Sequence, residues 1–179
     1  MPAVAAARRP GEEGSTLIEA LAAMLILTIG LMALAQSIVL GMAHAAVSQA
    51  NLVAREKARE AVESVHTARD TRTITWAQIR NVGAGGVFAD GLQPLRQPGP
   101  DGLVNTADDP DVLDAIGPGA DGLLGTADDV RADGFERQIL IEDVPNNPAI
   151  RRLTVVISYP ARGLRPPPFR LVTFVSSFS

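Results

Sequence analysis

Between Glu19 and Arg55 the chain carries no formally charged residue, and from Ala20 to Ala43 only Thr28, Gln36 and Ser37 have polar side chains. As a helix rising ~1.5 Å per residue, such a run covers the ~30 Å hydrocarbon layer of a bilayer. It holds no proline, and Gly30 and Gly41 are its only residues of poor helix propensity. Small residues at those points let neighbouring helices approach closely. The run is read as a membrane helix.

The helical pattern continues beyond it. Val47, Ala50, Ala54, Ala58, Ala61, Val62, Val65 and Ala68 recur at three- and four-residue spacing, one stripe of an amphipathic helix. Arg55, Glu56, Lys57, Arg59, Glu60 and Glu63 lie on the opposite face and read as a solvated surface, with Arg59 and Glu63 placed for an i,i+4 contact. Nothing breaks the helix before Asp70-Thr71, so one helix is expected from about Ser15 to Arg69. His44 and His66 have no carboxylate partner at useful spacing and read as ordinary helix residues.

Three processing fates compete for the N-terminus. Arg8 and Arg9, the apolar run and Ala33-Leu34-Ala35 have the parts of a secretory signal peptide with a small-x-small cleavage site. Length alone permits an uncleaved single-pass anchor. The third fate turns on Glu19. A carboxylate at mid-bilayer costs ~2.5–3.5 kcal/mol on insertion scales, less near the interface, so its place at the edge of an apolar helix makes sense if a cation arrives later.

The run Gly14-Ser15-Thr16-Leu17-Ile18-Glu19-Ala20-Leu21 resembles the processing motif of type IV prepilins. There a glycine ends a short hydrophilic leader and a Thr-Leu-Ile-Glu segment opens a long apolar helix. The resemblance covers roughly the first forty residues. It implies that a membrane prepilin peptidase cuts after Gly14 and methylates the new amine of Ser15, and that Glu19 pairs with that amine on a neighbouring subunit. Such a pair gains strength where water is scarce, and it fixes register because an unpaired carboxylate there is costly. Ile29-Gly30-Leu31-Met32-Ala33-Leu34-Ala35-Gln36 looks more like PilV-type minor pilins than major ones, which tend to carry a kinking proline where this chain has Gln36. Residue 15 is serine where the family usually has phenylalanine. Glu12 and Glu13 leave the leader without net side-chain charge, where pilin leaders are usually basic.

Leu153, Val155, Ile157 and Tyr159 alternate with Thr154, Val156 and Ser158, a β-branched strand pattern. Residues 135–144, with Ile139 and Ile141 on one parity, and residues 169–178 read as two more strands. Asn146-Asn147-Pro148 and the stretch from Arg162 to Pro168 connect the three, which suggests an antiparallel meander. Thr73 to Ile79 reads as a short additional strand. The expected fold class is α+β: a long N-terminal α-helix, membrane half plus amphipathic half, packed on a small antiparallel β-sheet, as in the pilin fold. The expected layout is leader 1–14, filament-core or transmembrane helix 15–45, amphipathic half 46–70, and head 71–179 with an acidic loop at 98–133 and strands at 135–178.

Charge is concentrated in that loop. Residues 98–133 hold nine aspartates against Arg131, a net −8, while the rest of the chain is +4. Within it, residues 99–109 recur as 119–129, with Asp-Gly, Leu, Thr-Ala and Asp-Asp coinciding at an offset of 20 residues. Oxygen ligands clustered about a glycine turn suit calcium, which takes six to eight of them. Asp101, Asn105, Asp108, Asp109, Asp121, Asp128 and Asp129 are the candidate ligands. The order is not that of an EF-hand; it looks closer to the Asp-Gly-rich calcium loops of secreted proteins. The plainer reading is a duplicated exposed turn in which Asp-Gly and Asp-Asp are good turn chemistry. Calcium is set slightly ahead, because so dense a charge repels itself unless screened or bound.

No nucleophile–base–acid set is discernible, cysteine is absent, and no basic patch interleaved with aromatics supports nucleic-acid binding. The chain reads as a substrate of processing enzymes rather than an enzyme. The leading expectation is a minor pilin of a type IV pilus, with other pilins, the prepilin peptidase, the membrane and the inner-membrane assembly platform as partners. The precursor would sit in the bacterial inner membrane, and the product in a periplasm-spanning or cell-surface filament. Two alternatives stand beside it: a pseudopilin of a type II secretion system, and a calcium-stabilised domain on an uncleaved anchor.

Overall fold

A computed structural model describes residues 12–160 and 166–178. Residues 1–11 of the expected leader and 162–165 of the expected proline-rich connector lie outside them. One helix, α1 (Glu12–Asp70), runs through the apolar and amphipathic segments without a break. By internal contacts the chain divides into residues 1–44 and 45–179.

In the first unit the described side chains of α1 from Thr16 onward are almost all exposed, among them Leu17, Leu21, Leu25, Ile29 and Met32. A helix this long and apolar meets the requirement for crossing a membrane. Its lone hydroxyl between Ala20 and Gln36 is satisfied internally: Thr28 Oγ1 donates to the Met24 carbonyl at 2.7 Å.

In the second unit α1 packs on an antiparallel sheet. Strands β4 (Glu136–Val144), β5 (Asn147–Ser158) and β6 (Phe169–Ser176) form the meander, and β1 (Gln93–Pro94) pairs with the free side of β4. A separate two-stranded ribbon joins β2 (Ala115–Gly117) to β3 (Val130–Arg131). Ala54, Ala58, Ala61, Val65 and Ala68 are the buried stripe of the helix, facing Ile139, Ile141, Leu153, Val155, Ile157 and Val175 in one core. Four of those five helical residues are alanine, so the sheet's larger aliphatic side chains fill most of the layer between helix and sheet.

The structure differs from the sequence expectations at four points. Thr73 to Ile79 is not a strand: Trp76–Gln78 is a 3₁₀ turn, in which Gln78 Oε1 accepts from both the Thr75 amide and its hydroxyl at 2.8 Å, capturing the backbone locally. Asn147 and Pro148 already belong to β5. Pro145 and Asn146 make the turn, with Asn146 at φ 64°, and the missing proline amide is tolerated beside an irregularity between Asp143 and Val144. The charged face of α1 is not wholly solvated, since Lys57 lies under the head, 2.6 Å from Asp114 Oδ2 and 2.8 Å from Glu60 Oε2. Arg59 and Glu63 form no ion pair among the described residues.

Two buried polar side chains fix the sheet's near end. Asn81 imitates a neighbouring strand, donating to the Ile139 carbonyl at 2.7 Å and accepting from the Ile141 amide at 2.8 Å. Arg151 stacks 4.2 Å from the Trp76 ring centroid and donates to the Trp76 and Ile79 carbonyls and to Asp143. Its guanidinium is the leading cause that holds the Asp143 carboxyl below the usual range.

Candidate functional site

Gly14 and Ser15 are helical, within the first turn of α1, so the expected cleavage point is in a helix rather than in an extended segment. Glu19 is exposed one helical turn after residue 15 and is flanked by exposed Leu17, Ile18 and Leu21. It has no cationic partner among the described residues.

The two acidic repeats fold alike. In the first, Asp101 Oδ1 accepts from the Leu103 amide at 2.8 Å and Asp109 Oδ2 from the Asn105 amide at 2.7 Å, while Thr106 Oγ1 donates to Asp108 and Asp109. In the second, Asp121 Oδ1 accepts from the Leu123 amide and Asp129 Oδ2 from the Gly125 amide, each at 2.8 Å. Thr126 Oγ1 donates to Asp128 and Asp129. Gly102 and Gly122 both sit at φ 73° after their aspartates, the left-handed conformation that Asp-Gly supplies. Gly99 and Gly119 are obligatory for a different reason: a Cβ would come within 2.6 Å of Asp108 Cγ in one loop and 2.2 Å of the Asp128 carbonyl oxygen in the other.

Their surroundings differ. Leu103, Val104 and Asn105 are buried in the head. Asn105, expected among the calcium ligands, turns inward: its Oδ1 accepts from Arg137 Nε at 2.8 Å and its Nδ2 donates to the Arg137 carbonyl at 2.9 Å. Arg137 is wholly buried and its Nη1 has no hydrogen-bond partner. Burial lowers its affinity for the proton, against the fields of Glu60, Asp109 and Asp114. Burial also pushes the Asp109 carboxyl up, opposed by the Asn105 amide and the Thr106 hydroxyl. In the second loop Leu123 and Leu124 stand 63% and 67% exposed, and Gly125 offers nothing to bury. There the Thr126 hydroxyl, with the Asp121 amide, holds the Asp128 carboxyl below the usual range.

The carboxylates therefore act first as acceptors for the loops' own amides. Among the described residues, no group of three or more acidic or histidine side chains is gathered about one point. The sequence reading missed Arg137, although the signal was present: it shares the inward parity of Ile139 and Ile141 on β4.

No protein-family model, curated protein or solved structure matches this chain.

Proposed function

We propose that this chain is a minor pilin, a structural subunit of a type IV pilus. It would be made as an inner-membrane precursor, cut after Gly14 by prepilin peptidase and methylated on the Ser15 amine. The assembly platform would then pass it, with other pilins, into a filament that crosses the periplasm or reaches the cell surface. One observation carries this reading: the run from Gly14 to Glu19 opens a single helix whose apolar part is bare and whose amphipathic part is seated on an antiparallel sheet. Cleavage creates the cation that Glu19 lacks, and a bare apolar helix gains by packing among its like once it leaves lipid.

Mass spectrometry of filaments sheared from the source cells tests the proposal. The expected result is a methylated peptide that begins at Ser15. The processed form found only in membranes would favour a type II secretion pseudopilin, which shares the N-terminal plan. An intact N-terminus in every fraction would overturn the filament reading and leave an anchored domain; a cut after Ala35 in every fraction would overturn it too and leave a secreted one.

A further inference from the structure

The second repeat carries two bare leucines at its middle, and the same fold in the first repeat shows what such a pair does when it has a receiver: Leu103 and Val104 insert into an apolar bed beside a buried guanidinium. Elsewhere on the head there is an exposed bed of the same chemistry. On the sheet face turned away from α1, Leu140, Thr154 and Val172 lie in register across three strands, with Phe174 diagonal to them; Val172 and Phe174 are 46% and 58% exposed. Arg170 on β6 borders this patch and has no ion-pair partner among the described residues. Arg152 beside it is already bonded to Glu142 at 2.9 Å. Glu136, the other acidic group of that face, lies two strands away from Arg170.

We infer that the loop at 119–129 of one copy docks on the outer sheet face of a second copy, with Leu123 and Leu124 on Val172 and Phe174 and the exposed Asp121 and Asp128 carboxylates facing Arg170. Both surfaces are bare in the single chain, so neither covers the other within one molecule. The charges are complementary: the loop has three aspartates and no cation between residues 119 and 129. Because loop and sheet are different surfaces, the contact is head-to-tail, the kind that repeats into an open row rather than closing as a dimer. Two leucines against two exposed apolar side chains and one arginine are a small set of contacts beside the ~20–30 residues a side of a stable interface, so the contact joins copies already held side by side in a membrane or filament, where effective concentration is high. The inference does not depend on cleavage after Gly14.

The chain has no cysteine, which makes disulfide trapping of the full-length protein in its membrane clean. One tagged copy carries Leu124→Cys and a differently tagged copy Val172→Cys, and each variant is first shown to melt like the parent. Mild oxidation is expected to give a mixed dimer several-fold above the pair in which Ala107→Cys, exposed in the first loop, replaces Leu124→Cys. Arg170→Glu in the Val172→Cys copy should reduce it several-fold, and Arg170→Lys, which keeps the charge, should not. A yield no higher than the Ala107 pair would overturn the contact. So would predominant Leu124→Cys self-dimers, which mean a loop-to-loop contact, or indifference to Arg170→Glu, which means non-specific apolar adhesion.

Discussion

Loops 99–109 and 119–129 close their turns with the same aspartates on the same amides, yet one is part of the head's core and the other stands off it. They differ at three positions, Pro100/Ala120, Val104/Leu124 and Asn105/Gly125, and only the last pair differs in a polar contact. Both need positive φ, 62° at Asn105 and 89° at Gly125. Asparagine tolerates that conformation and brings a side chain that binds Arg137 both ways, whereas glycine brings only freedom. A duplicated turn can thus keep its backbone while a few substitutions, the asparagine foremost, change its partner. The aspartates specify the shape, and the residue beside the apolar pair specifies whether the loop is anchored to its own head.

The largest effect expected of this contrast is in the apolar pair. Leu103→Ala removes a fully buried side chain and should cost about 2–5 kcal/mol of head stability, while Leu123→Ala, at the matching position, should stay within about 0.5 kcal/mol. Thermal melting of the two variants beside the parent measures both. Equal losses would mean that the second loop is also part of the core.

Exchanging the anchor residues sharpens the point. Asn105→Gly keeps the turn but leaves Arg137, already short of one partner, without the Asn105 amide group. A loss of about 2 kcal/mol is expected for a buried charged donor stripped of its acceptor, net of the relief that glycine gives at positive φ. Gly125→Asn should cost about 1 kcal/mol or less and be felt only in the exposed loop. Chemical denaturation reads the first, and amide exchange at Leu123 and Gly125 reads the second. If Asn105→Gly melts like the parent, Arg137 is held by something other than this pair.

Much of the fold is legible in the sequence because it rests on periodicity. The alanine stripe of α1 and the inward parity of β5 are buried as their spacing predicts. The repeat's turns are legible too, since Asp-Gly and Asp-Asp have local chemistry that does not depend on what lies around them. What could not be read is long-range. Lys57 looks like any charged helix residue until Asp114, 57 positions later in the chain, arrives beside it. Thr154 alternates as a solvent-facing residue should, yet in register between Leu140 and Val172 it is buried. The Thr73 to Ile79 segment has strand-like composition, but Gln78 folds back on Thr75 first. The prepilin-like run is legible as a motif alone, because its partner charge comes from processing and not from the folded chain.

The smallest effect concerns calcium. Were Asp101, Asp108, Asp109, Asp121, Asp128 and Asp129 to bind it, free ion at a hundred times Kd would add about 2.7 kcal/mol to the folded state, and chelation would remove that. In the folded chain these carboxylates already have donors: Asp109 gives both its oxygens to the Gly99 and Asn105 amides, and Asp101 and Asp129 each give one to an amide of their own loop. An amide bond to a carboxylate already supplies part of the counter-charge that the density of aspartates calls for. EDTA is therefore expected to leave the head's melting temperature unchanged, and added calcium likewise. The two loops make the test selective. A cation held by the anchored first loop would raise the melting of the whole head, whereas one held by the second would protect only the amides around Leu123. A fall in melting temperature on chelation would show that the first loop's carboxylates leave their amides to form a metal site.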